Sequence, residues 1–181
     1  PYNIVGMAAL KGLDVIAVTD HNSCRNCPAV LAAAKEYGIL AVPGMELTTS
    51  EEVHALCYFP DLERALAFDA YVYPRILDVK NREDIFGRQE IYGTDDWPSG
   101  VEERLLISAT SISFEGLWEL VVSFGGVIVP AHIDKNANSP IANLGFVAED
   151  SRFAAAELFD IRALHGLRKN NPYLERCRIL V

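Results

Sequence analysis

Residues 12–22 read Gly12-Leu13-Asp14-Val15-Ile16-Ala17-Val18-Thr19-Asp20-His21-Asn22. The apolar run from Val15 to Val18 is bounded by polar turn residues, so the pattern predicts a short buried strand. This strand runs directly into ionisable side chains. Because α/β folds place their chemistry at the carboxyl ends of buried strands, His21 is a candidate site residue. The function then depends on which other side chains lie close to His21.

The composition is that of a folded globular protein and argues against several functional classes. The chain has 181 residues, of which 50% are hydrophobic and 23% charged, so one domain is expected. The net charge of −9 argues against non-specific binding to nucleic acid or to an anionic membrane. No apolar run approaches the roughly 20 residues that span a bilayer, and no signal-peptide pattern is present. With only four cysteines, the pattern favours reduced thiols and a cytoplasmic location.

Short apolar runs alternate with helical patterns along the rest of the chain. Further strands are expected at residues 39–42, 53–59, 127–129, 155–159 and 177–181. Helices are expected at residues 3–11, 28–37 and 114–123. The β-α-β alternation favours a parallel α/β barrel or sheet.

Residues 61–122 are less regular than the rest. Asp61 is expected to cap a helix that continues to about Lys80 and is bent or broken at Pro74. The segment 93–100 has the composition of a loop, and a further helix is expected near residues 101–107. This region is therefore interpreted as a helical and loop insertion within a single domain that covers residues 1–181.

The expected strands repeatedly carry a histidine or a glutamate at or beside their ends: His21, Glu46, His54 and His132. Imidazole nitrogens and carboxylate oxygens suit Zn, Mn or Fe, and a carboxylate can bridge two ions. Closely spaced ions can clamp a phosphoester and activate a water molecule. A lone histidine of this kind is more often a packing or surface residue. Three of them with a glutamate, all at comparable positions, favour a metal site.

Four segments occur in the order of the motifs of one enzyme family. They are residues 18–22 (Val-Thr-Asp-His-Asn), 43–46 (Pro-Gly-Met-Glu), 53–59 (Val-His-Ala-Leu-Cys-Tyr-Phe) and 130–132 (Pro-Ala-His). The chain resembles the PHP superfamily, the polymerase-and-histidinol-phosphatase family of metal-dependent phosphoesterases. The resemblance implies an α/β fold, a distorted (β/α)7 TIM-like barrel. It also implies two or three divalent metal ions (Zn, Mn or Fe) at the carboxyl ends of the strands.

Carried over to these positions, the resemblance implies a role for each site residue. His21 would be a ligand to one ion, Glu46 would bridge two ions, and His54 and His132 would complete the site of a further ion. Asp20 would orient a ligand or accept a proton, although a strand-end cap is an equal alternative. Arg25 and Lys135 are candidate contacts for the substrate phosphate by position, with solvated loop charges as the alternative interpretation.

The expected activity is hydrolysis of a small phosphomonoester, nucleotide or short oligonucleotide by metal-activated water. No membrane partner and no extended nucleic acid are expected, and the oligomeric state is open. The alternative is a metal-free PHP-like scaffold or interaction module without catalysis.

Two features of the sequence leave alternatives open. The family's initial His-x-His and final Asp-x-His motifs are absent, and they would fall just before Pro1 and just after Val181, so truncation at both ends is expected. The Cys-x-x-Cys pair of Cys24 and Cys27 precedes a helix. It is interpreted as an incidental loop feature, with thiol redox chemistry or half of a structural zinc site as alternatives.

Overall fold

The structure is a computed structural model that describes residues 1–145 and 151–181. Within these ranges the helices are α1 (Tyr2–Leu10), α2 (Cys27–Tyr37), α3 (Leu62–Val72), α4 (Glu83–Phe86), α5 (Phe114–Ser123), α6 (Pro140–Leu144) and α7 (Leu164–Asn170). The strands are β1 (Val15–Ile16), β2 (Leu40–Ala41), β3 (Gly44–Thr48), β4 (His54–Tyr58), β5 (Glu90–Tyr92), β6 (Pro98–Val101), β7 (Val127–Pro130), β8 (Ala155–Glu157) and β9 (Arg178–Leu180). Short 3-10 helices lie at Tyr73–Arg75, Ile161–Ala163 and Pro172–Glu175.

The helix boundaries follow local sequence signals where those signals are strong. Helix α2 begins after Asn26, has Pro28 in its first turn and ends at Gly38, whose φ of 71° is the left-handed conformation that favours glycine. The predicted helix there is confirmed. Helix α3 is capped by Asp61, whose side chain accepts a hydrogen bond from the Arg64 backbone N–H at 2.9 Å. The predicted break at Pro74 is confirmed, because the chain changes to a 3-10 turn there, but the predicted helical continuation to Lys80 is wrong.

The strand directions differ from the predicted parallel arrangement. Strand β4 is antiparallel to both of its neighbours, β3 and β7, so the three-stranded sheet β3-β4-β7 is not a parallel sheet. Only five residues separate β3 from β4, which is too short for the crossover that a parallel pair needs. The pairs β1-β2 and β8-β9 are parallel.

The barrel that the family resemblance implies is not closed in the described part of the chain. Its strands form one three-stranded and three two-stranded sheets within a mixed α/β fold. A parallel bridge between His21 and Glu46 links the segment after β1 to β3, and the Ile133 backbone N–H donates to the Glu157 carbonyl between β7 and β8. These links place β1-β2 beside the β3 edge and β8-β9 beside the β7 edge of the three-stranded sheet.

The insertion contains a hairpin instead of the predicted helix near residues 101–107. Strands β5 and β6 pair antiparallel, and the segment after β6 is held to Gln89. The Gln89 side chain donates to the carbonyls of Glu102 and Arg104 and accepts from the Leu106 N–H. These tertiary hydrogen bonds keep the backbone non-helical and outweigh its local helical pattern.

The largest hydrophobic cluster packs against one face of the β3-β4-β7 sheet and leaves the opposite face to the site residues. Met45, Leu47, Ala55 and Cys57 are all buried in this cluster, together with residues of α3 and α5. Because strand residues alternate between faces, Glu46 and His54 are directed to the other side of the sheet. Among the described residues, no helix is both long and apolar enough to cross a bilayer.

Candidate metal centre

The reversed direction of β4 brings His54 to the site. His54 is the first residue of β4 and pairs with Thr48, the last residue of β3. In a parallel sheet the start of one strand lies at the opposite edge from the end of its neighbour. Here the antiparallel pairing puts His54 beside the carboxyl end of β3 and on the same face as Glu46.

His21 is fixed against the middle of β3 by backbone hydrogen bonds on either side of it. The Glu46 N–H donates to the Asp20 carbonyl at 3.1 Å, and the Asn22 N–H donates to the Glu46 carbonyl at 2.9 Å. Asn22 has a φ of 48°, and its buried side chain accepts from the Thr48 N–H at 2.8 Å. The turn after β1 is therefore held rigidly, with His21 facing Glu46.

His132 follows β7 and has an unusual backbone conformation. Its φ of 30° lies in the left-handed region, which a histidine adopts at an energetic cost. Its N–H donates to the Glu157 carboxylate at 2.9 Å, and the Ala131 N–H donates to the His54 carbonyl at 3.1 Å. These contacts hold the strained residue and direct its imidazole towards Glu46.

Three imidazoles converge on the two carboxylate oxygens of Glu46. Glu46 Oε1 lies 3.0 Å from His54 Nδ1 and 3.2 Å from His132 Nε2, and those two nitrogens are 3.3 Å apart. Glu46 Oε2 lies 3.9 Å from His21 Nε2. The imidazoles of His54 and His132 thus lie beside Oε1, and the imidazole of His21 lies nearest Oε2.

The donor set and its unpaired atoms fit a divalent metal. One ligand atom from each of His21, Glu46 and His54 lies within 4.8 Å of the other two. The Nδ1 atoms of His21 and His132 are buried and have no hydrogen-bond partner within the described ranges. Imidazole and carboxylate together are typical ligands of Zn, Mn and Fe. These residues could therefore hold an ion.

The electrostatics of the site favour the protonation states that bind metal. Burial raises the pKa of Glu46, but hydrogen bonds from His132 and His54 outweigh it, so the net pKa of this carboxyl is well below its usual range. Burial also lowers the pKa of His21, and this effect exceeds the opposing attraction of Glu46. A charged carboxylate and a neutral imidazole are the forms that coordinate metal ions.

The shifted pKa of His21 has a consequence for acid stability. Because burial disfavours the protonated imidazole, the unfolded chain binds that proton more readily than the folded chain. The metal-free protein should therefore lose stability as the pH falls through about 6.5, and His21→Gln should lose less over the same interval. Urea unfolding in EDTA across this interval measures the difference. Equal pH dependence of the two proteins would contradict the buried placement of His21.

The site opens into a cavity of about 460 Å³ that is lined by His21, Glu46, His54, His132 and the loop of Lys135, Asn136, Ala137 and Asn138. Buried Ser139 holds this loop, because its hydroxyl donates to the Lys135 carbonyl at 2.8 Å and accepts from the Ala142 N–H at 3.1 Å. The Asn138 carbonyl in turn accepts from the His54 N–H at 2.9 Å. The cavity wall and His54 are therefore connected.

Ser139→Ala should lower the free energy of unfolding by about 1 to 2 kcal/mol, because it removes a helix cap and both hydrogen bonds of a buried hydroxyl. It should also weaken metal binding, since the loop that supports His54 loosens. Ser113→Ala, which removes the cap of α5 at a residue that does not line the cavity, is the matched control. The control should lower stability but leave metal affinity unchanged. Denaturation and metal titration of both variants check this, and an equal effect on metal affinity would contradict it.

The structure places the other predicted residues in two different environments. Lys135 lines the same cavity as the histidines, with its Nζ 4.8 Å from the centre of the Phe159 ring. Asp20 and Arg25 line a neighbouring cavity of about 330 Å³, which His21 also borders. The Asp20 carboxylate accepts from the Asn26 side chain at 2.9 Å.

Arg25 is already engaged by carboxylates. Its guanidinium is 2.5 Å from Glu102 and 3.7 Å from Asp69, and it stacks over the Tyr73 ring at 4.3 Å. The positive charge of Arg25, which its sequence position made a candidate phosphate contact, is paired with carboxylates of the protein itself.

Sequence reasoning gave no role to two residues that support the site. The Glu157 carboxylate fixes the backbone of His132 by accepting from its N–H. Asn138 carries the carbonyl that accepts from His54 and itself has a φ of 56°. Glu157 follows the same strand-end pattern as His21 and could have been selected by it. Nothing in the local sequence marks Asn138.

No family model matches the chain. Among curated proteins, an uncharacterized protein of Methanocaldococcus jannaschii is 37% identical over 68 residues. This match covers 37% of the present chain and 40% of the relative, so the chain spans about two fifths of the length of the curated relative it matches.

Solved structures show a similar fold at low sequence identity. A candidate metal-dependent phosphoesterase from Bifidobacterium adolescentis has a TM-score of 0.54 and 19% identity, covering 94% of this chain and 68% of that one. The lesion-specific endonuclease Q of Pyrococcus furiosus has a TM-score of 0.55 and 17% identity, covering 86% of this chain and 36% of that one. An amidohydrolase from Chromobacterium violaceum, with bound sulfate and no metal, has a TM-score of 0.56 and 15% identity, covering 97% and 78%. The chain therefore shares its mixed α/β fold with proteins named as hydrolases.

Proposed function

We propose that this chain is a metal-dependent hydrolase of phosphoester bonds. The observation that carries the proposal is the convergence of three imidazoles on one carboxylate in an open cavity. The four residues come from four separate segments of the chain, so their meeting is a property of the fold. The substrate class is a small phosphomonoester, a nucleotide or a short oligonucleotide.

We propose two or three divalent ions, Zn, Mn or Fe, with Glu46 as the bridging ligand. Its Oε1 faces His54 and His132, and its Oε2 faces His21, so each oxygen has its own imidazole partners. A divalent ion held by these residues would lower the pKa of a water molecule at the site and would neutralise charge on phosphoryl oxygens. The carboxylate keeps the imidazoles in fixed positions and offsets part of the positive charge.

The surrounding residues have separate proposed tasks. Lys135, a cation on the wall of the cavity, contacts the substrate phosphate. Asp20 lies next to His21 and accepts a proton or orients the imidazole; its carboxylate already accepts one hydrogen bond from Asn26. Arg25 has no part in this proposal, because Glu102 and Asp69 already neutralise it.

The names of the fold neighbours support this reaction class. One is a candidate phosphoesterase and another an endonuclease, and both names denote cleavage of phosphoester bonds. Endonuclease Q has also been solved with a 27-mer duplex that carries an abasic lesion at its active site. The net charge of −9 favours a smaller substrate for the present chain.

The test compares two p-nitrophenyl substrates that release the same chromophore. Protein stripped with EDTA and reloaded with Mn²⁺ or Zn²⁺ should hydrolyse p-nitrophenyl phosphate much faster than p-nitrophenyl acetate. His54→Ala should abolish this activity, whereas His165→Ala, which changes the histidine on α7 outside the site, should retain it. Preference for the acetate would contradict phosphoester specificity. Absence of both metal uptake and turnover would favour the metal-free scaffold.

A further inference from the structure

Cys24 and Cys27 form a pair of buried thiols that the proposed hydrolysis does not use. They are 1% and 4% exposed; Cys24 lies in the turn after His21, and Cys27 is the first residue of α2. All four cysteines of the chain are free thiols in this structure. Cys57 and Cys177 are also buried, so they provide internal controls for reactivity that depends on burial alone.

The backbone between Cys24 and Cys27 has the geometry that a disulfide requires. The Cys27 N–H donates to the Cys24 carbonyl at 2.9 Å, which closes a four-residue turn. Such a turn brings its first and last Cα atoms within about 7 Å, and disulfides span about 4.4 to 6.8 Å.

The pair has the asymmetry of a nucleophile and a resolving thiol. The hydrogen bond from Cys24 lowers the pKa of Cys27 despite its burial. The same contact, together with burial, raises the pKa of Cys24. Cys27 is also the first residue of α2, an 11-residue helix, and the N-terminus of a helix stabilises a thiolate.

Both thiols are connected to metal-site residues through very short segments. Cys24 lies three residues after His21, and its N–H donates to the Asp69 carboxylate at 2.7 Å. The Cys27 thiol donates to the carbonyl of Gly44 at 3.5 Å, and Gly44 begins β3 two residues before Glu46. A Cβ on Gly44 would lie 2.6 Å from the Cys57 carbonyl, so β3 is tightly packed at this point.

We propose that Cys24 and Cys27 are a redox-active dithiol, which hydrogen peroxide closes to a disulfide, and that closure weakens metal binding at His21 and Glu46. The Cys27 thiolate attacks one peroxide oxygen, the O–O bond breaks, and hydroxide leaves to give a sulfenic acid. The Cys24 sulfur then displaces the sulfenic oxygen and its proton goes to the departing hydroxide. Overall, two thiols lose two electrons and one peroxide becomes two waters.

Closure removes the Cys27 S–H donor from the Gly44 carbonyl and tightens the turn next to His21. Both changes act on backbone that positions a ligand, so the oxidised form should hold the metal less tightly. By linkage, bound metal should disfavour the disulfide relative to the dithiol by the same factor at equilibrium. Only this second half rests on the proposed metal site; the disulfide itself does not depend on hydrolytic activity.

The disulfide is tested on the unmodified chain. Reduced protein is treated with hydrogen peroxide and then unfolded in the presence of N-ethylmaleimide, which alkylates the remaining thiols. Trypsin then cuts after Arg25, between the two cysteines. The expected result is a covalent link between the two peptides, with loss of two hydrogens, that dithiothreitol reverses, while Cys57 and Cys177 are alkylated. Alkylation of Cys24 and Cys27, their over-oxidation, or linkage to another cysteine would overturn the proposal.

The coupling is tested by Mn²⁺ titration of reduced, oxidised and re-reduced protein. Oxidation should weaken Mn²⁺ binding about fivefold or more, and dithiothreitol should restore it. Cys24→Ser, which cannot close the disulfide, should bind Mn²⁺ equally before and after peroxide. Re-reduction of the natural chain serves the same purpose if this variant does not fold. The coupling would be overturned if the reduced and oxidised chains bound Mn²⁺ equally, or if neither chain bound it.

Discussion

Glu46→Gln is expected to lower both metal affinity and phosphatase activity by roughly 100-fold or more. Replacing a residue that only supports a metal ligand typically lowers metal affinity or activity about 10- to 100-fold. Glu46 is the residue on which all three imidazoles converge, so its loss should have a larger effect. Glutamine has nearly the same shape but no charge, so it keeps the packing of β3 and removes the acidic ligand. Metal titration by calorimetry and hydrolysis of p-nitrophenyl phosphate measure the two losses.

The control for this substitution is Glu63→Gln in the first turn of α3, which removes an exposed carboxylate away from the site. It should leave metal affinity and turnover unchanged. If Glu46→Gln retained full activity while circular dichroism showed an intact fold, Glu46 would not be a metal ligand.

The largest expected effect on stability is that of Phe68→Ala. Phe68 is fully buried in α3 and its ring lies 4.9 Å from the Phe59 ring and 5.4 Å from the Phe124 ring. Removal of a buried phenylalanine typically costs about 3 to 5 kcal/mol, a large part of the roughly 5 to 15 kcal/mol that stabilises a domain. The variant should therefore unfold at much lower urea concentration or fail to fold.

Phe86→Ala is the matched control, because Phe86 is 54% exposed at the end of α4. The same chemical change there should shift the urea midpoint only slightly. Similar midpoints for the two variants would show that α3 does not pack on the β3-β4-β7 sheet as described.

The sequence predicted those helices and strands whose boundaries are set by residues adjacent in the sequence. Pro28 and Gly38 mark the two ends of α2, and the apolar runs at residues 114–123 and 127–129 predicted α5 and β7. Such boundaries are set by capping, by restricted φ angles and by burial of alternate residues, all of which the sequence shows directly.

Strand direction and the insertion could not be predicted in the same way. The antiparallel course of β4 follows from the short link after Thr48, and the pattern of β4 itself is compatible with either direction. The segment after β6 has a helical pattern but is held extended by Gln89, which is distant in sequence. Tertiary hydrogen bonds decided its conformation.

The candidate site was predicted in composition but not in arrangement. His21, Glu46, His54 and His132 could be selected because each stands at a strand or strand end. The sequence does not show that His54 faces Glu46 only because β4 is reversed, or that His132 needs a strained backbone. Arg25 was selected by position alone, and its partner Glu102 lies in the insertion, too far along the chain to anticipate.

X-ray absorption of the zinc-loaded protein tests the central claim most directly, because it reports the atoms bound to the ion. The four-residue site should give at least one zinc per chain, with nitrogen and oxygen ligands at about 2.0 to 2.2 Å. A shell dominated by sulfur at about 2.3 Å would place the ion on Cys24 and Cys27 instead. That result, or a protein that takes up no zinc, would contradict a metal centre built from three histidines and Glu46.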